Sequence, residues 1–180
     1  CLALGFRLID NHHLIQQMFT FHPPPPPTHG EGYPYGPPPF FGTWKNPIGM
    51  GKLGIKHFRG IYSRDGLPHK IRKECRIINL DDTQGSGTHW VCYRNVDSVV
   101  EYFDPFGLIM PNEALVYFHT CGKRIVYSMD EIQNRNTVLC GYWCLYYLFE
   151  RQKGTSILDV IHNPHFDNDN SDFIKEYFGG

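Results

Sequence analysis

The segment Leu139-Cys140-Gly141-Tyr142-Trp143-Cys144 opens a strongly apolar run that continues to Arg151. Its length predicts a helix over 140–151, with Gly154 as the terminating residue. Its apolar content predicts that the helix is buried, so other layers must cover it. The upstream sequence supplies them. Short β-branched and aromatic runs bounded by turn residues predict strands over 75–80, 89–93 and 98–103, with a loop over 81–87. A fourth strand is predicted over 124–127. Arg64-Asp65-Gly66-Leu67-Pro68 reads as a turn. Further helices are predicted over 113–119, led by Pro111 or Asn112, from a Ser156 cap through Ile161, and over 171–177. The pattern is α+β: a small central, mostly antiparallel sheet flanked by helices, with Cys140 at the N-terminus of the buried one.

The 180 residues suffice for one core. Pro23 to Pro27 is unbroken, and glycines and prolines continue to Pro39. Such a stretch favours an extended polyproline linker. Residues 1–40 therefore read as an N-terminal segment, with a loosely periodic short helix before the linker, and 41–180 as the folded domain. The net charge of −1 gives no global drive toward nucleic acid or a membrane surface. The basic cluster His69-Lys70-Ile71-Arg72-Lys73 reads as a solvated edge or loop. No apolar run approaches the roughly 18 residues of a membrane span. No secretory signal is visible, so the six cysteines (1, 75, 92, 121, 140, 144) read as reduced thiols of an intracellular protein, in the nucleus or a virion rather than secreted. The chain reads as a monomer.

Three residue types needed for thiol chemistry occur in the order His89, Asp104, Cys140. A thiolate is the reactive form of cysteine, and a helix N-terminus favours it through unpaired N–H groups and the dipole. Cys140 sits where the irregular segment 134–139 gives way to the helix. Cys144, one turn on, reads as a core residue. His89 is the candidate base and Asp104 the group that fixes its orientation. If strands 88–93 and 98–103 pair as a hairpin, His89 and Asp104 fall at the same end of the sheet. The backbone N–H of Cys140 and the side chain of Gln133 are candidate donors to an oxyanion. Taken singly, each has a bland reading: a packed strand histidine, an Asp-Pro turn, a core cysteine pair, a lone glutamine that signifies nothing. Together, in one short domain, they point to a cysteine protease. Cysteines and histidines show no close Cys-x-x-Cys pair, so no metal or other cofactor is expected.

These motifs carry a resemblance. Gly-Thr-His-Trp (87–90), Phe-Asp-Pro-Phe-Gly (103–107), Gln133 and Leu-Cys-Gly-Tyr-Trp-Cys (139–144) are similar to those of the adenovirus-type (adenain-like) cysteine endopeptidases of the ubiquitin-like-protease clan. The resemblance covers roughly residues 54–150. It is closest to versions from virus-like DNA transposons (Polintons, or Mavericks), where Phe58-Arg59-Gly60-Ile61, Arg64 to Pro68 and Glu74 to Asp81 also fit. It implies a papain-like/adenain-like fold with Cys140 as nucleophile, His89 as general base, Asp104 as its orienting acid and Gln133 as oxyanion donor. It further implies cleavage at Gly-containing, Gly-Gly-type sites in protein or peptide substrates such as capsid precursors, and a peptide activator that would pair with Cys121. A DNA cofactor is known in the family, but the near-neutral charge of this chain argues against one. Cellular deconjugating enzymes of the clan carry Asp before the catalytic Cys-Gly, where this chain has Leu139. The alternatives are a ubiquitin-like-protein isopeptidase and a domesticated, non-catalytic scaffold.

Overall fold

A computed structural model describes residues 54–70, 72–82, 87–166 and 170–178. The expected N-terminal helix, the proline linker and the boundary near residue 40 lie outside them. Five strands, β1 (Phe58–Ser63), β2 (Glu74–Asn79), β3 (Trp90–Asn95), β4 (Val99–Phe103) and β5 (Arg124–Tyr127), form one sheet in the order β1-β2-β3-β4-β5. The helices are α1 (Asn112–His119), α2 (Cys140–Lys153), α3 (Ile157–Ile161) and α4 (Ser171–Tyr177). None is long and apolar enough to cross a membrane.

The sheet is mixed. β2/β3 and β3/β4 are antiparallel, as expected of the centre, but the outer pairs β1/β2 and β4/β5 are parallel. The expectation of a mostly antiparallel sheet is corrected to that extent. Direction follows from the connections: α1 carries the chain from the end of β4 back to the start of β5, and a helical crossover returns a strand parallel. β1 itself was not anticipated as a strand. Gly60, at φ 125°, interrupts its apolar alternation, and the pairing with β2 shifts register between Phe58 and Ile61.

Strand alternation sends side chains to two cores. Cys75, Ile77, Trp90, Cys92 and Phe103 pack toward α2, α3 and α4. Ile78, Val91, Tyr93, Val100 and Tyr102 pack toward Ala114 and Phe118 of α1. α2 is therefore sandwiched between the sheet and the C-terminal helices, and every residue from Cys140 to Leu148 is buried. Trp143 is the largest of these; its ring meets Tyr146 and Phe166 edge-on at 5.6 and 5.4 Å. Each such buried large side chain contributes about 1.5–3 kcal/mol. Gly154 closes α2 in the left-handed conformation (φ 98°), where a side chain would be strained. Ser156 caps α3 by accepting from the Asp159 N–H.

Two buried glutamates, each paired with arginine, brace the sheet. Glu101 accepts from Arg151 through both oxygens (2.7 and 2.8 Å), from Arg94 and from the Tyr147 hydroxyl. On the other face Arg76 donates to Glu74 at 2.7 Å with both side chains essentially inaccessible, while Tyr93 donates to the second carboxylate oxygen. Removing one member of such a pair leaves a charge in a medium that solvates it poorly. Arg76→Ala is expected to cost about 3–5 kcal/mol of folding free energy, read as a lower urea midpoint. A midpoint within about 1 kcal/mol of the wild type would contradict this account of the pair.

Candidate active site

Strand order places the chemistry at one end of the sheet. β3 and β4 pair with Cys92 opposite Phe103 and Tyr93 opposite Tyr102. His89, immediately before β3, therefore meets the residues just after β4. His89 Nε2 donates to Asp104 Oδ1 at 2.8 Å, and the imidazole stacks on Phe106 with centroids 4.4 Å apart and planes 13° apart. The Phe106 N–H also donates to Asp104 Oδ1, so the turn after β4 orients its own carboxylate. Asp104 is fully buried and His89 nearly so. The expected hairpin juxtaposition is present.

Cys140 is the first residue of α2, and no side chain caps that helix end. Its thiol is near enough to His89 to raise the imidazole, whose Nδ1 makes no hydrogen bond among the described residues. Asp104 occupies Nε2, which leaves Nδ1 as the ring nitrogen available to exchange a proton with sulfur. Burial by itself disfavours the imidazolium. The hydrogen bond to Asp104 and the nearby Cys140 outweigh it, and the imidazole is pushed up to about 9.

The other thiols are differently placed. Burial pushes Cys75 up to about 12 and Cys144 well above the ordinary thiol range. Cys144 donates to the Trp90 carbonyl at 3.4 Å, tying α2 to β3 as a core residue. Cys121 follows α1 and accepts from Asn95, at the far end of β3 from His89. The six-residue length of β3 puts roughly 17–20 Å between them.

Gln133 is brought to the same end by backbone bonds: the Ile132 and Gln133 N–H groups both donate to the Pro105 carbonyl, at 3.0 and 3.1 Å. Gly107 permits this approach. It sits at φ 62°, and a Cβ there would fall 2.4 Å from the Met129 carbonyl oxygen. The Gln133 side chain is buried, and its Nε2 donates to the carbonyl (3.0 Å) and to the hydroxyl (3.1 Å) of Thr137. Its Nε2 is thus engaged within its own turn. Thr137 and the stacked Phe106 were given no role from the sequence. The Phe-Asp-Pro-Phe-Gly motif marked Phe106's position, whereas nothing in the spacing marked Thr137. Gly107→Ala is expected to lower stability by about 1–3 kcal/mol and to reduce turnover with it, because the 129–133 segment must move off the Asp104-Pro105 turn. Unchanged thermal unfolding would show that the close approach is not required.

No protein-family model matches this chain. In sequence it is similar to the protease of Bovine adenovirus B serotype 3, 24% identical over 110 residues, covering 52% of this chain and 51% of that protein. The chain thus spans about half the length of the curated relative it matches. The resemblance to adenovirus-type proteases stands on that comparison; the transposon branch does not enter it. Among solved structures, the crystal structure of the selenomethionine ASFV pS273R protease aligns with TM-score 0.46 at 17% identity, over 61% of this chain and 44% of that one. A second crystal structure of the ASFV pS273R protease gives 0.45 at 15% identity, over 62% and 44%. The central domain of the uncharacterized Lpg1148 protein from Legionella pneumophila gives 0.41 at 14% identity, over 67% and 82%.

Proposed function

We propose that this chain, adenain-like in sequence, is a cysteine endopeptidase with Cys140 as nucleophile, His89 as acid and base, and Asp104 as the residue that orients His89. The observation that carries the reading is the placement of His89 between a buried carboxylate at 2.8 Å and a cysteine at a helix N-terminus. Sulfur of the Cys140 thiolate attacks the peptide carbonyl carbon. The oxyanion is met by the Cys140 N–H and by Gln133. The C–N bond breaks as His89 gives its proton to the leaving amine, and a thioester remains. Water then attacks the thioester, His89 accepts its proton, and the acid product leaves with regeneration of the thiolate.

The proposed substrates are Gly-Gly-type sites in capsid precursors of a virus-like DNA element, in keeping with the motif resemblance and with the adenovirus protease as a relative. Cys121, a free thiol distant from the site, is where a peptide activator carrying a disulfide would attach by thiol–disulfide exchange, releasing the other half of that disulfide as a thiol. The test compares turnover of a fluorogenic peptide ending in Leu-x-Gly-Gly with turnover of a folded ubiquitin-like fusion. Cleavage of the short peptide at a comparable or higher kcat/KM supports the endopeptidase. Cleavage of the fusion alone would replace it with the isopeptidase. Turnover of neither, with and without a cysteine-bearing activator peptide, would favour a non-catalytic scaffold.

A further inference from the structure

The Gln133 amide is held in a way that its proposed role does not explain. Its Nε2 faces two acceptors on one residue, the Thr137 carbonyl oxygen at 3.0 Å and Thr137 Oγ1 at 3.1 Å. The hydroxyl is an acceptor here because its own proton goes to the Asn134 carbonyl at 2.7 Å. Chemistry therefore fixes the orientation of the amide: a carbonyl oxygen turned toward Thr137 would face a second carbonyl. Gln133 Oε1 points the other way, buried and with no hydrogen-bond partner among the described residues. The Thr137 N–H also donates to the Asn134 carbonyl, so residues 134–137 form a closed turn whose last residue grips the side chain of the residue just before it. Cys140 begins α2 three residues later.

We infer that Thr137 is a positioning residue that sets the Gln133 amide for oxyanion stabilisation, its carbonyl keeping one N–H in place and its hydroxyl holding the second until the oxyanion takes that hydrogen bond. This rests on the protease reading above. The exchange is near balanced, because an N–H leaves one neutral acceptor for a charged one and is never left unpaired in the buried site. The hydroxyl also closes the turn that aims the side chain, so its loss lets the amide rotate. The role is expressed in the transition state and leaves substrate binding alone.

The test is a kinetic cycle on the full chain with the Gly-Gly peptide, using Thr137→Val, Thr137→Ser, Gln133→Ala and the double variant Thr137→Val/Gln133→Ala. Valine keeps the shape and removes the hydroxyl. The expected result is a loss of about fivefold to tenfold in kcat with KM unchanged for Thr137→Val, the scale of one hydrogen bond. Thr137→Ser restores most of it. In the Gln133→Ala background the valine substitution has no further effect, because Thr137 acts through Gln133. The side-chain N–H resonances of Gln133 shift in Thr137→Val and hold in Thr137→Ser. Equal losses with and without Gln133, a loss confined to KM, or an unchanged kcat would overturn the inference while leaving the protease reading intact. Wild-type turnover that does not depend on Cys140 would overturn that reading and the inference with it.

Discussion

Cys140→Ala is expected to reduce peptide turnover by at least about 10³-fold while leaving the fold in place. The side chain is small and sits at the first position of α2, so alanine keeps the helix and removes only sulfur. Cys140 packs in the larger core, and losing one sulfur atom there costs on the order of 1 kcal/mol, too little to unfold the domain. None of the other described cysteines can substitute. Cys75, Cys92 and Cys144 are buried among apolar side chains, and Cys121 is at the opposite end of the sheet. The check is kcat/KM beside a thermal unfolding curve. Loss of activity with an unchanged curve places the nucleophile. Retained activity would remove Cys140 from the mechanism.

The second large effect belongs to Asp104→Asn. The carboxylate accepts from His89 Nε2 and raises the imidazole, so asparagine removes both the orientation and the charge. A loss on the order of 10²- to 10⁴-fold in kcat is expected, since the amide can turn either its oxygen or its NH₂ group to the ring and so admit the wrong tautomer. The pH profile gives the sign. With His89 pushed up to about 9, wild-type turnover is expected to fall as pH rises through about 9, where the imidazolium loses its proton. Without the carboxylate the imidazole loses the largest influence that raises it, so the alkaline limb moves to lower pH. Stability follows the same linkage. The folded-state value lies above the ordinary 6.5, so the stabilising contribution is complete below about 6.5 and lost as pH rises through about 9. Asp104→Asn should flatten that loss, measured as the urea midpoint at neutral and alkaline pH. An unshifted alkaline limb would mean that another group governs it.

Much of this arrangement was legible in the residues. β2, β3, β4 and β5 announce themselves by β-branched and aromatic runs between turn residues, and their ends lie within two residues of expectation. α2 was marked by its apolar run and by Gly154. His89 and Asp104 could be placed together because a hairpin of known strand lengths brings its two open ends to one edge. Three things were hidden. β1 has a glycine at its bulge, which erases the alternation that identifies a strand. The parallel outer pairings depend on where connections run, and a strand's own sequence does not encode its neighbour's direction. The grip of Thr137 on Gln133 uses a backbone carbonyl that every residue possesses and a hydroxyl common in any turn, so it leaves no signature in spacing. Gly107 lies between these cases: its presence after Asp-Pro-Phe suggests a turn, but only the approach of the Met129 carbonyl explains why nothing larger fits.

If His89 activates Cys140, accessibility and activation make opposite forecasts for that thiol. Cys121 is the more exposed thiol, while Cys140 is 6% exposed. The decisive measurement is limited alkylation with iodoacetamide at neutral pH, with the two cysteines compared by peptide mass spectrometry in the wild type and in His89→Ala. Cys140 is expected to be labelled ahead of Cys121, and that order to reverse when His89 is removed. Labelling of Cys121 first in the wild type, or of Cys140 at the same rate with and without His89, would contradict it.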